Sequence, residues 1–455
     1  MFIVITRRFV ASMRAFAIEE KGVTLPVLAL AFMMIMGFVG TATDIARLQL
    51  VQSRLTYALD AAGLAAGSTM NTTNLDTELA NYMNVNFPAN YMGAATPQIV
   101  SEVMSDNKVI NLSATTTMPT TFMNALGITA MSVSAHSQIT RTSEGLELAI
   151  VLDNTGSMSG DLSTLKNAAT SLVNVLFGTH ETVPNLWVGL VPFAATVNVG
   201  TSHSTWIDQT HFATLNWGSY PWRGCVDARD TAGQMTTGTD TVDDPPTSKL
   251  YKAYYYPSTY PSGQSTGVSN HNKYCTAAIT PLTAYKSTIL TGINNMTTDG
   301  NTHVGLGAIW GWNMLSPRWR GQWGGEMDAA ALPLDYGTKH MNKAVIIMTD
   351  GANTMSTNIF SAYGWMADNR LGSTWNTTTA VTNLNAKLST VCTNMKAKGI
   401  YVYTIAFRNP GTTIQNLMKA CATADNYYFS SPDPASLNTA FNAIADSLSN
   451  LRVSE

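Results

Sequence analysis

Charge is what this chain has least of. Lysine, arginine, aspartate and glutamate make up 12% of its 455 residues, about half the share of an average globular protein. The net charge of -3 supplies no basic footprint for nucleic acid, and none is expected as a partner. Enzymatic fingerprints are few: there is no P-loop or HExxH, and "GLGAIWG" falls one residue off a dinucleotide fingerprint, inside an expected helix. The chain is therefore not read as an enzyme, and no catalytic or organic-cofactor residues are assigned. Cysteine is limited to Cys225, Cys275, Cys392 and Cys421, without a CxxC pair. That spacing argues against zinc, although His271 precedes Cys275 closely enough to raise the question.

What is present begins with the run from Val23 to Thr43, which holds no charged residue. About 21 residues at roughly 1.5 Å each cross a bilayer core of roughly 30 Å. Arg7, Arg8, Arg14 and Lys21 precede the run against Glu19 and Glu20, so this end is expected to stay in the cytoplasm and everything after Asp44 to lie outside. A cleaved signal peptide competes, but the run exceeds the usual apolar core of one. A prepilin leader at Gly22 competes too, although the fifth residue after it is Val27 and not glutamate. Outside a reducing cytoplasm disulfides are permitted. Of the three pairings open to four cysteines, Cys225 with Cys275 and Cys392 with Cys421 are favoured, because they close two local loops worth about 3 to 4 kcal/mol each.

Past the anchor, Ile45, Leu48, Leu55, Leu59 and Ala62 recur at helical spacing. From about Pro97 the period changes to that of strands, with a short helical piece in "TTFMNALG". From Glu144 apolar strands alternate with amphipathic helices: "LELAIVL", a helix from Leu162 to Phe177, "LWVGLVPFA", the helix "VGLGAIWGWNML", "KAVIIMTD", a long helix ending near Gly399 and "YVYTIAF". Such alternation implies an α/β fold, a doubly wound, mostly parallel sheet covered on both faces. The expected parts are a cytoplasmic tail (1–22), a transmembrane anchor (23–43), a helical stem with a small α+β module (44–142) and the α/β domain (143–455). Insertions near 200–280 and 316–340 are rich in aromatic residues. Partner binding and self-packing are equally open for them.

In open α/β sheets ligands sit beyond the carboxyl ends of the strands. Asp153, Thr155 and Ser157 follow one strand, Asp350 ends another, and Thr302 lies in a turn before a helix. These are oxygen donors only, which suits a hard cation such as Mg2+, or another divalent ion such as Mn2+ or Ca2+. Hydroxyl ligands leave the ion's charge poorly neutralised, so it would attract a carboxylate from a partner. Alone, "DNTGS" is a turn; its weight comes from the other two segments. His303 is expected at the surface.

"LELAIVLDNTGSM", "GNTHVGLG" and "IIMTDG" together resemble the von Willebrand factor A domain and its metal-ion-dependent adhesion site, with Thr155 in place of the usual first serine. "GVTLPVLALAFMMIMGFVGTATDIARLQLVQSRLTYALDAAGLAAG", "PTTFMNALGITAMSVSA" and the closing "YYFSSPDPASLNTAFNAIADSLSNLRVSE" resemble TadE/TadG-like Flp pilus assembly proteins. The order of anchor, stem and A-domain is similar to that of TadG. The resemblance implies a single-pass component of the inner (cytoplasmic) membrane, with its bulk in the periplasm and other pilus assembly proteins as partners. A surface adhesin or matrix-binding A-domain protein is the alternative.

Overall fold

The computed structural model describes residues 24–68, 75–104, 109–140, 144–229, 240–338 and 341–451. The expected cytoplasmic tail, with its basic residues and Gly22, lies outside them. The chain divides into two compact units, Met1–Arg141 and Thr142–Glu455.

The first unit is organised by α1 (Thr24–Ser68). Its early residues, among them Leu25, Leu28, Phe32, Met33 and Phe38, expose their side chains, and the helix is long and apolar enough to cross a membrane. Farther on, Val51, Leu55, Ala58, Leu59 and Ala62 are buried at three- and four-residue spacing. They pack on α2 (Leu75–Asn86) and on the antiparallel sheet β1 (Gln98–Met104), β2 (Val109–Pro119) and β3 (Ala130–Thr140), in the order β1-β2-β3. Ile110, Leu112, Ala114 and Met118 turn inward from β2, as a strand with one wet face requires. The small residues of "ALDAAGLAAG" permit the close approach: a Cβ on Gly63 would lie 2.3 Å from Ile139 Cδ1. The short helical piece is a 3-10 turn, Met123–Leu126.

The second unit is built on β4 (Gly145–Asp153), β5 (Leu186–Phe193), β6 (Val197–Asn198), β7 (Cys225–Val226), β8 (Thr280–Thr283), β9 (Met341–Thr349), β10 (Tyr401–Phe407) and β11 (Tyr428–Ser431). Their order is β11-β10-β9-β4-β5-β6-β7, with β8 pairing β5. β11, β10, β9, β4 and β5 run parallel, while β6, β7 and β8 join antiparallel, so the sheet is mixed. Helices cover both faces. Leu148, Ile150 and Ile346 point to the side of α3 (Leu162–Phe177), α4 (Lys286–Asn294) and α8 (Pro434–Leu451). Val151, Phe193 and Val345 point to the side of α5 (Val304–Leu315), α6 (Thr377–Ala397) and α7 (Thr412–Cys421). The glycines of α5 let it lie against the strands. A Cβ on Gly307 would come within 2.5 Å of Phe193, and one on Gly311 within 2.6 Å of Val151.

Cys225 is bonded to Cys275 and Cys392 to Cys421. With Cys275 so engaged, His271 has no thiolate beside it to share a zinc ion; its Nδ1 pairs with the Tyr256 carbonyl at 2.7 Å and its ring stacks on Tyr255. Alkylation of the unreduced protein is expected to label no thiol, and Cys225→Ser with Cys275→Ser should cost about 2 to 5 kcal/mol in a denaturant melt. The aromatic insertions pack largely on themselves and on α5. Trp206, Trp310, Trp319 and Trp323 meet Tyr251 in one buried cluster, with ring centroids 5.2 Å apart for Trp206 and Trp319 and 5.0 Å for Tyr251 and Trp310.

Candidate functional site

β4 leads into α3 on one face of the sheet, and its neighbour β9 leads toward α6 on the other. The chain therefore parts between the carboxyl ends of β4 and β9, where a doubly wound sheet opens a crevice. Asp153 is the last residue of β4 and Asp350 follows the last residue of β9.

The Asp153 carboxylate is fully buried and held from two sides. Oδ1 accepts the Thr155 N–H at 2.9 Å, and Oδ2 accepts the Thr349 hydroxyl at 2.7 Å. The Thr155 and Ser157 hydroxyls lie 3.0 Å apart, and Ser157 donates to Asp350 Oδ1 at 2.8 Å. Thr302 arrives on a third segment, clamped to both strand ends. On one side the Gly156 N–H donates to Gly300 O at 3.1 Å and the Asn154 side chain to Thr297 O at 2.9 Å. On the other, the Thr302 N–H donates to Thr354 Oγ1 at 3.0 Å and the Thr354 N–H to Thr302 O at 3.0 Å. A Cβ on Gly351 would lie 3.9 Å from Thr302 Oγ1. Asp153, Thr155, Ser157, Thr302 and Asp350 are thus gathered at one edge of the sheet from three stretches of chain.

The electrostatics of this edge are those of acids short of a counter-charge. Burial pushes the Asp153 carboxyl up to about 7, helped by the charge of Asp350, while hydrogen bonds from Thr155 and Thr349 pull the other way. Burial raises the Asp350 carboxyl as well, against the pull of Ser157. Arg408 is near, but its guanidinium is engaged by Asp161, with Nε 3.0 Å from Oδ2. Two carboxylates and three hydroxyls fit a hard divalent cation, which takes oxygen ligands and keeps several waters. Among the described residues no cluster of three or more histidines, cysteines, aspartates and glutamates is present, so a nitrogen- or sulfur-rich alternative has no donors here.

His303 departs from expectation. It is completely buried at the start of α5, its ring 5.5 Å from that of Tyr363, and burial lowers its pKa to about 3, which keeps it neutral. The loops that close over the amino end of α5 exclude water from a position that looked exposed. Thr349, Asn154 and Asn353 were not anticipated. Thr349 orients Asp153, Asn154 anchors the Thr302 loop, and Asn353 Oδ1 accepts the Val304 N–H at 2.8 Å. The one legible signal was a hydroxyl residue closing the apolar strand "AVIIMT".

The family model described as "Putative Flp pilus-assembly TadE/G-like" matches residues 22–69. Comparison with curated protein sequences gives no match. Among solved structures, the chain is similar to the vWF domain of the type V pili tip protein Mfa5 from Porphyromonas gingivalis, at 12% identity and a TM-score of 0.37, over 69% of this chain and 97% of that one. It is similar to the pilus adhesin SpaC from Lactobacillus rhamnosus GG at 11% identity and a TM-score of 0.37, over 78% and 34%. A third is proximal thread matrix protein 1 from the mussel byssus with zinc occupied MIDAS motif, at 12% identity and a TM-score of 0.32, over 68% and 47%. The chain spans about a third of SpaC and about half of the byssus protein.

Proposed function

We propose that this chain is a membrane-anchored component of Flp pilus assembly, and that its second unit captures an acidic group of another pilus assembly protein through a divalent cation. In this reading α1 is a single-pass anchor in the inner membrane, the amino terminus is cytoplasmic and the bulk is periplasmic. The observation that carries the binding half is the hydrogen-bonded run from Thr349 through Asp153, Thr155 and Ser157 to Asp350 at the parting of the sheet. The match at residues 22–69 supports the pilus half.

Asp153, Thr155, Ser157, Thr302 and Asp350 would hold the ion. When bound, it supplies a positive centre with a position that a partner's carboxylate can fill. Thr349 fixes the Asp153 carboxylate from below, and the Thr354 and Gly156 backbone contacts fix Thr302 and the Ser157 turn. The site is assigned binding and not catalysis, because its acids and hydroxyls are tied to one another in the arrangement that would hold the ion.

Pull-down from membranes tests this. The wild-type chain is expected to retain a partner in Mg2+ and to release it in chelator, while Asp153→Ala retains none in either. Equal recovery in all arms would refute the metal-bridged reading.

A further inference from the structure

We infer that the turn between β2 and β3 is a lipid-inserting wedge, seated among the acyl chains of the leaflet at the carboxyl-terminal end of the membrane span. The inference rests on α1 being an anchor and goes beyond it, because it assigns a second membrane contact to the folded part of the first unit.

The turn is apolar and open. Thr120 to Thr129 contains no charged residue, and within it Phe122, Leu126 and Ile128 are 45%, 69% and 41% exposed. Single exposed apolar residues are ordinary; three on one turn are a patch, and their position says what covers them. The exposed apolar run of α1 extends to Val39, and Phe122 packs on the next residue. A Cβ on Gly40 would fall 2.7 Å from the Phe122 side chain, so the ring lies directly on the helix there. Gly40 sits roughly 4.5 Å of helix rise before the expected end of the span at Thr43. The Phe122 ring is therefore level with the hydrocarbon edge. The strands behind it run back along α1, since Ile139 reaches Gly63 and Ser137 donates to Asp60 at 2.6 Å. The tip therefore points toward the membrane.

The polar groups at this level are arranged to match. Asp44, the first acidic residue after the span, is fully buried, and a carboxylate so near hydrocarbon is expensive unless its charge is met. The turn meets it: the N–H groups of Thr121, Phe122 and Met123 donate to it at 3.1, 2.8 and 2.8 Å, and Arg47 lies 3.6 Å away. Arg47 also donates to Thr121 Oγ1 at 2.6 Å and to Met92 O at 2.8 Å. One turn of helix beyond Asp44 and still partly exposed, its guanidinium stands at the height of lipid phosphates, where long basic side chains settle. The same contacts that pin the wedge to the anchor thus place its apolar tip below the headgroups.

All four native cysteines are paired, so a nitroxide can be placed on Leu126→Cys of the full chain reconstituted in phosphatidylethanolamine and phosphatidylglycerol vesicles. Phe32→Cys, in the apolar run, and Tyr57→Cys, farther along α1, serve as references. Collision with oxygen, which concentrates in lipid, is compared with collision with a water-soluble nickel chelate. Residue 32 lies near the bilayer centre and the turn near its edge, so the expected oxygen-to-nickel ratio at 126 falls below that at 32 and exceeds that at 57 several-fold. A ratio at 126 equal to that at 57, with 32 lipid-like, overturns the wedge and leaves the anchor standing. Shielding of 126 from both reagents points to a protein occupant and overturns it too. A water-like ratio at 32 removes the anchor, and the wedge with it.

Discussion

Asp240→Ala is expected to destabilise the second unit by about 3 to 5 kcal/mol, because it strands a buried cation. Lys387 on α6 is 2% exposed, and its ammonium lies 2.8 Å from each oxygen of Asp240. Tyr363 completes the arrangement by donating to Oδ2 at 2.7 Å. Asp240 belongs to the first aromatic insertion, so this pair is one of the bonds that fasten the insertion to the helical layer. Desolvation of both charges offsets most of their attraction, and replacing the pair with apolar residues is often neutral or stabilising. The double variant Asp240→Leu with Lys387→Met should therefore recover most of the loss. Urea melts of the segment 144–455 check both outcomes. A single-variant loss under about 1 kcal/mol, the range of exposed pairs, would show that water reaches Lys387.

The elements with strong periodicity were legible in the sequence. The helices Leu162–Phe177 and Val304–Leu315 stand where apolar spacing puts them, and the strands ending at Asp153 and Thr349 were marked by the apolar runs "LAIVL" and "AVIIM". The two disulfides followed from compartment and loop length. The antiparallel edge was not legible, since Val197–Asn198 and Cys225–Val226 are two residues each, too short to carry a period. Their pairing depends on how a long insertion folds back. The burial of His303 escaped for a similar reason: it is decided by loops distant in sequence, including the one bearing Tyr363. At the site the acids and hydroxyls with motif spacing could be named in advance. The residues that orient them, Thr349 and Asn154, could not, because their role exists only once three segments converge.

The second large effect concerns that convergence. In the absence of a cation, burial disfavours the charged forms of Asp153 and Asp350, with the charge of Asp350 adding to the effect at Asp153 and that of Asp161 adding to it at Asp350, so an ion that neutralises them binds the folded unit and not the unfolded chain. At about 100 times its dissociation constant, such a ligand stabilises by about 2.7 kcal/mol, which for a unit of this size is roughly 4 °C in melting temperature. Asp350→Ala should remove most of that rise. Ser157→Ala, which deletes one exposed hydroxyl and perturbs the fold least, should reduce it. Both variants are compared with wild type in their own metal-free state, so a general loss of stability does not imitate a loss of binding.

A Mg2+ titration of the melting temperature of the segment 144–455, wild type beside Asp350→Ala, is the most direct test of a cation-holding site at the parting of the sheet. A saturable rise in the wild type that is absent from Asp350→Ala is the predicted result. Equal responses of the two proteins to Mg2+, whether both rise or neither does, would contradict it.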